Sequence, residues 1–180
     1  LLGGTVPGNP AEIARHLKPL GGVVYLGGKT DDPSQAVQSL QDWLAGMKLA
    51  DQSHTATEGA AITLTRDKLP GAANWSHQYG DPGNTASSTD RRLKGGLGVL
   101  WYGDPGPGKM VNRHDGAVGP LSIDGRLIVQ GENSVMAYDA YNGMFLWERE
   151  EPNAVRTGVF QNQNPGNLVA GGDDLFVMVR

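Results

Sequence analysis

Residues 125–148 read GRLIVQGENSVMAYDAYNGMFLWE, and this stretch decides the fold. Arg126–Gln130, Ser134–Tyr138 and Met144–Glu148 are short runs of strand-forming character. Asp124-Gly125 precedes the first run and Asn142-Gly143 precedes the third. Both dipeptides are two-residue hairpin signals, because tight turns need positive φ and these residues tolerate it. Strand, turn and strand in close succession predict an antiparallel β-meander.

The same character extends outward over residues 70–180. Helical periodicity is missing there, and further strands are expected near Gly98–Trp101, Val118–Ile123 and Leu175–Val179. A repeat runs through this part. Gly119–Val129 reads GPLSIDGRLIV and Asn167–Val177 reads NLVAGGDDLFV, at an offset of 48 residues that places Leu127 on Leu175 and Val129 on Val177. Trp101 and Trp147 each close an expected strand, 46 residues apart. Short strands repeating at such a period suggest propeller blades. Trp75, Trp101 and Trp147 are expected to pack between them, since large rings mainly add core area.

Residues 1–69 read differently. Asn9-Pro10-Ala11-Glu12 is a helix start: Asn9 can cap free N–H groups, Pro10 suits the first turn, and Glu12 complements the positive helix end. Ile13, Leu17 and Leu20 fall on one side, and Pro19 and Gly21-Gly22 stop the helix. Val23–Leu26 is a continuous apolar run, as in a strand buried on both faces. Asp31 or Asp32 caps a second helix with Pro33 in its first turn, and Ala36, Val37, Leu40, Trp43, Leu44 and Met47 follow a helical period. Residues 48–60 are polar and expected to loop, and Ile62–Thr65 reads as a strand. Helix, strand, helix, strand fits the tail of an α/β sheet.

Composition narrows the class. The 180 residues include 27 Gly and 11 Pro, too many breakers for a helical bundle. Net charge is −4, from 15 basic and 19 acidic residues, with no basic stripe to mark a nucleic-acid partner. Apolar runs are too short for a membrane span. There is no Cys, so disulfides, thiolate metal sites and cysteine nucleophiles are excluded. The first residue is Leu, and Leu1–Val6 lacks the charged start of a signal peptide, so the expectation is a piece of a longer chain.

Two resemblances follow. In residues 125–148, a Gly-led strand, a strand ending in Ala137-Tyr138-Asp139-Ala140, a turn at Gly143 and a closing Trp147 resemble the quinoprotein-type (PQQ-like) β-propeller repeat. The family usually has Leu and Thr at Tyr138 and Asn142, and both changes keep the strand and turn chemistry. Trp75 to Thr85, with Gly80-Asp81 and Asn84-Thr85, resembles the opening segment of such propellers. Ala11–Val23 is similar to the late helix–strand junction of class I methyltransferases, whose pattern there is Arg, x, Leu, x, Pro, Gly, Gly. Arg15, Leu17, Pro19, Gly21 and Gly22 match, with Leu20 inserted. Thr63–Pro70 would then close that sheet. The implied fold is mainly β: a partial quinoprotein-like propeller over residues 70–180, after an α/β Rossmann-like remnant over residues 1–69. The combination resembles fused bacterial proteins of that architecture.

Candidate site residues are few. Asn112-Arg113-His114-Asp115 is the densest polar cluster and suits a ligand pocket, since Arg grips carboxylates and His exchanges protons. Glu132 and the neighbouring Asn133 carry oxygen donors of the kind Ca²⁺ takes, and ordinary hairpin chemistry uses the same residues. Asp81 and Asn84 flank Pro82-Gly83 as a turn or a loop-borne site. Gly103–Met110, GDPGPGKM, nearly matches a phosphate-binding loop, but Met110 replaces the hydroxyl residue and Pro105 and Pro107 remove amides, so an inter-strand loop is expected. His77 and His114 lack a metal-ligand partner at standard spacing, and no metal site is expected. Asn74-Trp75-Ser76 fits a glycosylation sequon.

Three functions follow as expectations. The first is a propeller segment that binds a small molecule or a protein, with the rest of the propeller and an upstream α/β domain as its partners. The second is part of an oxidoreductase that uses pyrroloquinoline quinone (PQQ) with calcium on alcohols or sugars. Its alcohol-oxidising members often carry an adjacent cysteine pair, which this chain lacks. The third is an S-adenosylmethionine (SAM) dependent methyltransferase whose cofactor-binding half lies outside this chain. The propeller resemblance also implies a cell-envelope or periplasmic location.

Overall fold

The computed structural model describes residues 8–28, 30–104, 109, 119–131, 133–151 and 168–178. The chain divides into two compact units, Leu1–Pro70 and Gly71–Arg180. It is mainly β, built of antiparallel sheets with two short helices among the described residues. No described helix is long and apolar enough to cross a membrane.

The first unit opens with α1 (Pro10–His16). Asn9 caps it, accepting from the Ala11 amide at 2.9 Å. Strand β1 (Val23–Leu26) follows, then α2 (Pro33–Ala45), whose Asp32 cap accepts from the Ser34 and Gln35 amides. Strands β2 (Ser53–Glu58) and β3 (Ala61–Arg66) form a hairpin, and the sheet order is β1-β3-β2 with both pairings antiparallel. β1 and β2 therefore run parallel, joined through α2, with β3 inserted between them. The core is Ala14, Leu40, Leu44, Met47, Leu49, Ile62 and Leu64, with Ile13, Leu17, Val24, Leu26, Val37 and Trp43 against it.

Three expectations for this unit are corrected. β1 is not buried on both faces: Val23 and Tyr25 are 53% and 69% exposed, because the core covers only the Val24–Leu26 side. The polar segment expected to loop contains β2, whose side chains are mostly exposed and which is held by backbone pairing to β3. Leu20 does not continue the α1 stripe. It sits at φ +57°, turning the chain so that Leu20 and Gly21 donate to the Asp67 and Arg66 carbonyls.

The second unit holds a four-stranded antiparallel meander, β4 (Leu121–Ile123), β5 (Arg126–Gln130), β6 (Ser134–Asp139) and β7 (Phe145–Glu150), in that spatial order. Asp124 and Gly125, at φ +43° and +75°, make the expected two-residue turn. Asn142-Gly143 does not. Asp139 donates to the Met144 carbonyl around a longer loop, and the β6–β7 register shifts beside Ala137. Gly143 is still required there, at φ +73° with a Cβ position 2.5 Å from the Trp101 ring.

A hairpin of β8 (Leu168–Gly171) and β9 (Asp174–Val177) forms a separate two-stranded sheet. β8 was not among the expected strands, and β9 starts one residue earlier than expected. β4 begins at Leu121, and residue 118 lies outside the described residues. Gly98–Trp101 is corrected outright: it forms no strand and is largely exposed.

The repeat acquires a geometry here. Leu121, Ile123, Ile128 and Val135 share a core with Leu168 and Ala170, with Leu175 and Val177 against it. Leu127 instead packs with Val129, Met136 and Tyr138, a separate cluster. Cross-strand partners and the two-residue pleat place these sets on opposite faces of the four-stranded sheet. Leu127 and Val129 thus lie on the face turned away from β8–β9, while their repeat counterparts Leu175 and Val177 face the first sheet. The two sheets stack head to tail.

Candidate functional site

Asp81 and Asn84 are described, and both build a loop. The Asp81 Oδ1 accepts from the Gly83 amide at 2.8 Å and the Thr85 amide at 3.3 Å, and its Oδ2 accepts from the Thr85 hydroxyl at 2.7 Å. The Thr85 hydroxyl, ahead of the backbone amides, holds the Asp81 carboxyl below its ordinary value. Asn84 lies at φ +53°, a left-handed position that Asn tolerates. Asn112, Arg113, His114, Asp115 and Glu132 lie outside the described residues, as do Pro105 to Gly108 and Met110 of the phosphate-loop-like stretch.

The neighbouring polar side chains also serve the backbone. The Asn74 side-chain amide donates to Asp124 at 3.2 Å, and its oxygen accepts from the Asp124 amide at 3.0 Å, clamping the β4–β5 turn. The sequon asparagine is therefore committed to a structural contact. Trp75 exchanges backbone hydrogen bonds with Ser122, and the Ala170 amide donates to the Ser76 carbonyl, so residues 74–76 link β4 to β8. Asp90, not singled out in the sequence, accepts from the amides of Ala73, Arg92 and Leu93. Those amides, the Leu93 one foremost, lower its pKa. The signal for it was the Ser-Ser-Thr-Asp run at residues 87–90, of turn-forming composition.

On the Met136–Tyr138 face, Lys109 Nζ donates to Glu148 at 2.6 Å. Each partner favours the charged form of the other, so Lys109 is raised and Glu148 lowered. Burial raises the Tyr138 phenol on the same face. On the opposite face a groove of about 480 Å³ lies between the two sheets, lined by Val135, Trp147, Arg149, Glu151, Leu175 and Val177. Arg149 and Glu151 pair at its rim, 3.5 Å apart. Sequence reasoning missed this groove because its walls come from strands far apart in the chain. Trp147 was legible as packing, and here it lines the groove while remaining 37% exposed.

Among the described residues no group of three or more His, Asp or Glu side chains is placed to hold a metal ion. The described surface offers an inter-sheet groove and free strand edges, suited to apolar and backbone contacts. Compared with family models, curated proteins and solved structures, the chain matches none.

Proposed function

We propose that residues 71–180 are one blade and the start of the next in a quinoprotein-like β-propeller. In this reading the propeller is a ligand- or protein-binding platform, joined to a methyltransferase-like α/β unit. The head-to-tail stack of β4–β7 on β8–β9 carries the reading. Two duplicated sheets that met by equivalent faces would form a closed pair. Stacked by opposite faces, they can be continued by a third sheet through the same kind of interface, as in repeat arrays. A propeller is such an array arranged radially around a channel.

The first unit supports the second half of the reading. Its β1 and β2 run parallel with the antiparallel β3 inserted between them, which fits the mixed end of an otherwise parallel sheet. β3 also falls where Thr63–Pro70 would close a methyltransferase-like sheet. Binding is favoured over catalysis because the described acidic loop residues are engaged by their own backbone. Asp81 and Asp90 each hold several neighbouring amides, which is the work of a scaffold.

The test uses the full chain with PQQ and Ca²⁺, read by equilibrium binding and by dye reduction with alcohols and sugars. Saturable binding without turnover is expected, and binding should be lost when Asn112, Arg113, His114 and Asp115 are replaced together by alanine. Dye reduction would overturn the platform in favour of an oxidoreductase. Binding that survives the fourfold replacement would remove that cluster from the site.

A further inference from the structure

We propose that Asn142-Gly143 is a site of spontaneous covalent modification, that the folded loop holds it closed, and that its isoaspartate product unseats Trp101. It is the one Asn-Gly step in the 180 residues. Such a step carries its own chemistry, because a glycine nitrogen has no Cβ to crowd its attack and its backbone turns freely. The Gly143 main-chain nitrogen attacks Asn142 Cγ, the bond from Cγ to the side-chain nitrogen breaks, and ammonia leaves with the proton given up by Gly143. Water then opens the five-membered imide. Cleavage at Cγ leaves aspartate, and cleavage at the main-chain carbonyl carbon leaves isoaspartate, whose backbone runs through Cβ and Cγ. Amide and water become acid and ammonia, with nothing oxidised or reduced.

The loop withholds both reacting groups. The Gly143 amide donates to the Asp139 carbonyl at 2.8 Å, so the nitrogen that must lose its proton is committed. The Asn142 side-chain oxygen accepts from the Met144 amide at 2.9 Å, which holds the side chain in one position. The Asp139 amide donates to the Met144 carbonyl at 2.8 Å and closes the loop behind them. Asn142 itself is exposed, so water is at hand once those bonds open. The opening of the loop then sets the rate, and the site records how often that opening occurs.

The product matters because Trp101 rests on the same loop. Its indole N–H donates to the Ala140 carbonyl at 2.9 Å, and its ring meets Gly143, whose Cβ position is 2.5 Å from it. The two anchors bracket Asn142. Isoaspartate puts an extra backbone carbon and a carboxylate between them, so the spacing that seats the ring is lost. Ordinary aspartate at that position keeps the chain length and still offers an oxygen to the Met144 amide. One loop and one ring suffice, independently of the propeller reading.

The full chain and the peptide Ala137–Glu148 are aged side by side at mildly alkaline pH. Mass spectrometry counts the conversion of amide to acid, and chromatography separates the isoaspartyl form. Asn142 in the folded chain should convert at least about tenfold more slowly than in the peptide, which asks for only about 1.4 kcal/mol of loop closure. Trp101→Phe keeps a ring and loses the donor, and should bring the folded rate several-fold toward that of the peptide. Equal rates in chain and peptide would overturn the gate, and a Trp101→Phe rate equal to that of the unaltered chain would overturn its coupling to Trp101. Should the substitution unfold the sheet, the comparison of chain with peptide still decides the gate. Hydroxyl-radical footprinting reads the release. Labelling of Trp101 should rise several-fold in the isoaspartyl form and stay at its starting level in Asn142→Asp. Labelling that is equal in the fresh chain, the isoaspartyl form and Asn142→Asp would overturn the release.

Discussion

Asp81 satisfies three donors from within four residues of itself, two amides and the Thr85 hydroxyl. Its folded-state pKa is depressed, so its contribution to stability is present above the ordinary value of 3.8 and is lost as pH falls through the lowered one. A carboxyl titration followed by NMR should place the Asp81 midpoint below that ordinary value. Thr85→Val should move it upward, because the hydroxyl is the leading cause. An unmoved midpoint would show that the backbone amides alone hold the carboxylate. The Asp-Pro-Gly-Asn run was legible as a turn because all its bonds are local. The commitment of Asn74 to Asp124, 50 residues away, was not, since nothing in Asn-Trp-Ser distinguishes a sequon from a clamp.

Elements end where distant groups reach them. Arg66 in β3 donates to the Leu17 carbonyl at 2.6 Å, satisfying an orphan carbonyl at the end of α1, and to Gln52 Oε1 at 3.1 Å. Arg66→Met keeps much of the stem and removes the donors. It should cost the first unit about 1–3 kcal/mol, the usual penalty for stranding a partly buried polar partner, and urea unfolding would measure it. Pro19 and Gly21-Gly22 showed that the helix stops, but not that an arginine 49 residues later caps it. β2 was hidden for a related reason. Ser-His-Thr-Ala-Thr-Glu has no apolar alternation, and only its pairing with β3 makes it a strand.

Each unit has its own core, centred on Leu40 and Ile62 in the first and on Leu121 and Leu168 in the second. Leu40 is completely buried. Leu40→Ala should destabilise the first unit by about 2–5 kcal/mol, the range for such core truncations. Trp43 belongs to the first unit and Trp75, Trp101 and Trp147 to the second, so single-Trp variants can follow each transition by fluorescence. The transition reported by Trp43 should move while that reported by Trp75 holds. Movement of both would show that the units unfold as one. The change of character near residue 70 was readable because helical periodicity stops there, and each unit's apolar pattern closes on its own core.

The amino-acid sequence alone decided the local features: the Asn9 cap, a second helix capped at Asp31 or Asp32, the Asp124-Gly125 turn, the span of β5 and the 48-residue repeat. Each depends on bonds between near neighbours or on a pattern that survives without coordinates. Tertiary structure decided that β1 is a half-exposed edge, that Leu97–Tyr102 joins no sheet among the described residues, and that Leu175 faces the inter-sheet core while its repeat counterpart Leu127 faces away from it. These follow from which distant residues cover a given face. A two-residue pleat specifies that a strand has two faces, and only packing selects the one that meets its neighbour.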